Sequence, residues 1–307
     1  MKRTLSVLTL LLLVTAMWAQ YPIGSWRQHR AYGDATDQVV ADGQVFCLAS
    51  GNLFVYNIDA PETRTLDTQS GLSSNGITHI DYDATTHTVI VAYADCTIDL
   101  IDSRTLDVTA LTALRDKNLE SKVINGISVH DGTAWLLMSF GYIEVNLSEA
   151  HFGETYDLKH DVLSAAVCGE TLYYSIRGDG LYKVPLKVNM HDTSVHTRIN
   201  GHVYDKKMIA LGNRLYGMSS STLNCFVVPD FFNYKVVDNT RITHASVCDG
   251  FLVANSASRV VMIDSDGNVT TIAQPNAIKS IVRKGTTLWA SCGLNGLQAY
   301  RLQDDAL

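Results

Sequence analysis

The sequence has 307 residues, is 46% hydrophobic and only 18% charged, and sets 24 Lys and Arg against 31 Asp and Glu for a formal net charge of −7. That charged fraction lies below the roughly 25% of an average soluble domain, so apolar surface is ample to offset chain entropy and intrinsic disorder is excluded. The acidic balance supplies no broad basic face for nucleic acid.

Lys2 and Arg3 precede ten apolar-rich residues, 5–14, and small residues follow up to Ala19. This is the pattern of a secretory signal peptide, residues 1–19, cut before Gln20. A membrane span needs about twenty apolar residues, and no later stretch reaches that length, so the mature chain is expected to be exported without a transmembrane segment. No Cys follows the cut, which argues against a lipoprotein anchor.

The remaining chain, 20–307, repeats itself. An apolar run, a tight turn, an aromatic-rich run, a second turn and a third run recur seven times. Examples are VVADGQVFCLASGNLFVYNID from Val39, AVCGETLYYSIRGDGLYKVPL from Ala166 and IVRKGTTLWASCGLNGLQAYRL from Ile281. The turn glycines Gly132, Gly169, Gly212, Gly250 and Gly285 lie 37, 43, 38 and 35 residues apart. A period near forty with three or four strands per unit predicts a β-propeller blade. Glycine recurs because tight hairpins need positive φ. The sequence therefore reads as all-β, a single seven-bladed propeller.

Outer fourth strands are expected from Thr63, Val108, Glu154 and Val269. The seventh unit has none, and residues 25–32 (SWRQHRAY) are expected to supply it, with Trp26 and Tyr32 packing inward. Closing the ring in this way removes free sheet edges.

Side-chain chemistry is sparse. Six cysteines fall in or beside strands of different blades, where geometry favours buried thiols, with one bridge between adjacent blades left open. Residues 264–268 (DSDGN) place glycine too early for an EF-hand and read as a turn. His191, His196 and His202 have no zinc-ligand spacing and read as a solvated loop. The glycine pair in residues 177–181 (RGDGL) reads as a hairpin, since no helix follows to hold a phosphate. No G-x-S-x-G elbow occurs. No catalytic, metal or cofactor site is expected, although a propeller hydrolase would assemble its residues only at the axis.

Residues 71–83 (GLSSNGITHIDYD) resemble the repeats of two-component-regulator-type propellers. IGSWR from Ile23, ASGNLFVY from Ala49, KVINGISV from Lys122 and SFGYIEVNL from Ser139 narrow the likeness. Together they resemble the N-terminal β-propeller of the PorZ-like proteins of type IX secretion. The resemblance implies an exported protein, periplasmic or at the outer-membrane surface, that binds without catalysing. It also implies protein partners, a surface sortase or other attachment components, and anionic lipopolysaccharide. PorZ-like chains continue into a second propeller and a sorting domain, so a truncated frame or a stand-alone propeller is expected. Binding residues belong on connectors, and Ser73, Ser74, Asn75, Phe140, Tyr142 and Asp179 are the candidates. The alternative is a periplasmic glycan-sensing propeller of a hybrid two-component regulator.

Overall fold

Short turns at positive φ fold each strand back on its predecessor. Asp42 and Gly43, at φ 45° and 77°, join Ala35–Ala41 to Gln44–Ala49, and Asp131 and Gly132 repeat the turn between Ile124–His130 and Thr133–Met138. The computed structural model describes residues 31–118, 121–228, 230–238, 241–256, 258–273 and 277–302. Within them are seven antiparallel sheets, six of four strands and one of three, each following chain order from its first strand outward. They span 35–66, 77–111, 124–157, 162–200, 207–238, 242–273 and 280–301, and are blades 1 to 7.

First strands of successive blades pack side by side, and the first strand of blade 7 packs on that of blade 1. The ring is closed. Alternate side chains point to opposite sheet faces, and here each face meets another blade, so inner strands are apolar on both sides. Thr88–Tyr93 is buried along its whole length. A separate apolar cluster fills every junction, such as Phe46, Leu53 and Val91 between blades 1 and 2, or Tyr142, Val162 and Tyr174 between blades 3 and 4. Outer strands are amphipathic. Glu62–Leu66 buries only Leu66.

Residues 1–30 lie outside the described residues, and with them the expected signal peptide and most of the expected closing strand. Tyr32 is described. Its ring meets Phe54 edge-on at 6.2 Å, in a cluster that also takes in Leu297 of blade 7. The seam itself is held by inner strands. Ala35 and Gly293 exchange two backbone hydrogen bonds of 3.0 Å. The bond from Ile77 N–H to Gly51 O, also 3.0 Å, does the same between blades 1 and 2. Gln38, 1% exposed, donates from Nε2 to Trp289 O at 2.7 Å and accepts from the Ser291 hydroxyl.

The six cysteines are free thiols, four of them buried. The 264–268 segment is a turn closed by Asp264, whose carboxylate accepts from the N–H groups of Asp266 and Asn268 at 2.9 Å. Among the described residues no helix is long and apolar enough to cross a membrane.

Candidate functional site

Antiparallel order divides the connectors between two ends of the ring. Second hairpins and blade-to-blade connectors share one end, the upper face, and first and third hairpins share the lower. Five of the six candidate residues lie on the upper face: Ser73, Ser74 and Asn75 in the connector to blade 2, Phe140 and Asp179 in second hairpins.

Most of these have structural partners. The Ser73 N–H donates to Asp99 Oδ2 at 2.8 Å, the Ser74 hydroxyl to Asp95 at 2.7 Å, and Leu72 is buried between blades 1 and 2. Asp99 is fully buried and also accepts from Tyr93 OH at 2.6 Å, so the GLSS segment anchors the connector to its blade. Asp179 pairs with Arg198 at 3.2 Å and accepts from Tyr182 OH at 2.6 Å. Phe140 is half-buried against the blade 2–3 core, and Asn75 is exposed. Tyr142 is a correction. It lies on Gly141–Asn146, 0% exposed, with its ring 4.9 Å from Tyr156 and 5.8 Å from Tyr174. The hairpin tip is Ser139 and Phe140, so Gly141 begins the strand and sends Tyr142 into the core. The histidine loop also differs from expectation. His196 is half-buried, with Nδ1 2.6 Å from Tyr174 OH and Nε2 2.8 Å from Met190 O.

First strands surround an axial cavity of about 730 Å³. Asp37, His79, Lys207, His244 and Ser280 occupy one register position, four residues before each first-hairpin pair, with Gly126 and Ser164 in the other two blades. In five blades a β-bulge immediately precedes this position. Bulges add twist and re-aim side chains. The bulged Thr36, Thr78 and Thr243 donate their hydroxyls to the carbonyls of Leu48, Ala92 and Asn255 at 3.1–3.2 Å, so the interruption leaves no orphan acceptor.

Asp37 receives the Ser280 hydroxyl at 2.8 Å and His244 Nε2 at 3.2 Å. The Ile281 N–H donates to His244 Nδ1 at 3.3 Å, leaving the ring proton on Nε2, facing Asp37. A serine, a histidine and an aspartate thus meet without relay geometry, because both other groups face Nε2 and the Ser280 proton goes to Asp37. Burial would raise the Asp37 carboxyl, but His244, Lys207 and Ser280 outweigh it and hold it at about 2. Burial raises Asp81 and lowers His79. At the lower end Asp42 accepts from Tyr82 OH at 3.0 Å, from His87 at 2.9 Å and from Ser103, joining blades 1 and 2.

This axial ring was not among the sequence candidates. Aligning the seven units on their first hairpins would have exposed it, as a mostly polar column inside apolar strands. Among the described residues no group of three or more His, Cys, Asp or Glu could hold a metal ion.

Residues 45–196 match the family described as the type IX secretion PorZ N-terminal β-propeller domain, just under half of the 307 residues. The chain is similar to the solved structure of PorZ, a surface component of the type IX secretion system of Porphyromonas gingivalis. The TM-score is 0.80 at 22% identity, over 92% of this chain and 38% of that one. It is also similar to the extracellular domain of a hybrid two component system from B. thetaiotaomicron, at TM-score 0.64 and 12% identity, over 89% of this chain and 41% of that one. A one component system domain from the same organism gives 0.62 and 10%, over 88% and 40%. Identities this low establish the fold. No curated protein matches the chain in sequence.

Proposed function

Because residues 45–196 match the family of PorZ N-terminal β-propeller domains, we propose that this protein is a non-enzymatic, PorZ-like binding scaffold of type IX secretion. It works outside the cytoplasm, at the periplasmic or outer-membrane surface, and its partner is a protein of the attachment machinery, the surface sortase or a neighbouring component. The family match carries this reading. Supporting it, the upper face is built of connectors pinned to rigid blades by Asp99 and Asp179, which suits a preorganised protein contact. Asn75, exposed on that face and not needed to hold its connector, is the residue to perturb.

The test is affinity capture of purified sortase-complex components on the immobilised chain, beside anionic lipopolysaccharide. Capture of a complex component that falls at least tenfold with Asn75→Arg is the expected result. Retention of lipopolysaccharide alone, or of nothing, overturns the protein-partner reading. The competing reading, a glycan-sensing propeller of a hybrid two-component regulator, rests on fold likeness alone. It requires the same face to bind oligosaccharide instead.

A further inference from the structure

Six formally charged Asp and Lys side chains line the axial cavity: Asp37, Asp42, Asp81 and Asp249 against Lys207 and Lys284. Four of them have partners. Asp37 has Ser280 and His244, Asp42 has Tyr82, His87 and Ser103, and Lys284 Nζ lies 2.8 Å from Asp249 Oδ1. Two do not. Asp81 accepts only from the N–H of its own neighbour Tyr82, at 2.9 Å. The Lys207 side chain makes no hydrogen bond or ion pair with any described residue, although its charge acts on both Asp37 and Asp81.

The two are of opposite sign and come from blades 2 and 5, as far apart as a seven-membered ring allows, so they face the cavity from opposite sides. Both side chains are half-buried in the cavity wall, and no described residue offers either an ion partner, so each charge is open to a bound group. An incoming anion drawn to Lys207 would also meet Asp37 and Asp81. A simple cation drawn to Asp81 would meet Lys207. A molecule that carries both charges satisfies both walls at once. The cavity volume is within the range of small-molecule sites and leaves room for bridging water.

We propose that the axial cavity binds a small zwitterion, an amino acid, with its carboxylate on Lys207 and its amino group on Asp81. The site is separate from the upper-face connectors and does not depend on the secretion reading. It would let the propeller sense a free amino acid or hold an amino-acid-bearing group while its upper face engages a protein.

Calorimetry and ligand-observed NMR on the wild-type chain test this with ω-amino acids from glycine to 6-aminohexanoate, each beside the carboxylic acid and the amine of equal length. The expected result is millimolar or tighter binding of at least one amino acid, with the matching acid and amine at least tenfold weaker. Lys207→Met and Asp81→Asn should each weaken that binding at least tenfold. Equal binding of acid or amine overturns the proposal, as does binding by no member of the series, or undiminished binding by folded variants. The wild-type series decides the matter even where a variant fails to fold.

Discussion

Asp37 is under opposing influences. Burial favours its neutral form, while His244, Lys207 and the Ser280 hydroxyl favour the anion, and the second set prevails, holding the carboxyl at about 2 against an ordinary 3.8. A carboxyl held below its unfolded value contributes stability that is fully present above that value. The contribution is lost as pH falls from about 4 through about 2, because the unfolded chain takes up the proton first. The difference corresponds to roughly 2 kcal/mol. Asp37→Asn should therefore lower stability at pH 7 by up to about 2 kcal/mol and flatten its fall between pH 4 and 2. Urea denaturation across that range measures both, and an acid limb as steep as wild type would refute the assignment. Asp81 works with the opposite sign. Burial raises it, so Asp81→Asn should leave neutral-pH stability unchanged or higher.

At the scale of strands and turns, most of the architecture can be read directly. Glycine-bearing turns mark the hairpins, and the outer strands at Val108–Leu111 and Val269–Ala273 start where polar turns place them. The failures have local causes. The outer strand of blade 4, Thr197–Asn200, is hidden because a long polar connector separates it from Gly180–Pro185. The axial ring is hidden because it is spread one residue per blade over more than two hundred residues, leaving no local motif. Ser73 and Ser74 were legible as a motif but not as framework, since their acceptors Asp99 and Asp95 lie more than twenty residues away. Tyr142 was misplaced because a glycine beside Phe140 looks like a turn tip. Gly141 is required for another reason. At φ 154°, a Cβ there would lie 2.0 Å from the Tyr156 carbonyl oxygen, and Gly180 makes the same close approach to Asn200 O at 2.1 Å. Gly178, in an open turn at φ 74°, meets nothing within 4 Å. Gly141→Ala should therefore cost about 2–4 kcal/mol and Gly178→Ala only about 1 kcal/mol. Urea midpoints for the two variants decide this, and equal losses would show that φ alone matters.

On the scale of the whole ring, the junction between blades 7 and 1 differs from the others in one respect. Gln38 takes a register position that holds Ile80, Ile127, Ala165, Met208, Ala245 and Ile281 in the other blades. At the junction between the first and last blades, a buried amide holds Trp289 O and the Ser291 hydroxyl. Directional bonds fix register, whereas apolar packing alone tolerates slippage. Gln38→Met keeps the volume, as Met208 does in blade 5, but removes the amide that binds both the Trp289 carbonyl and the Ser291 hydroxyl. The cost should be about 1–3 kcal/mol. Each first strand packs against two neighbours, so loosening one junction strains the whole circle and the loss should appear as one cooperative transition. With Trp18 and Trp26 already changed to Phe, Trp289 at the seam and Trp135 in blade 3 report it separately when each of them is replaced by Phe in turn. Both signals should move to the same lower midpoint in Gln38→Met. A Trp289 transition that precedes Trp135 would mean that the seam opens by itself, and that blades 1 and 7 are joined more weakly than the rest.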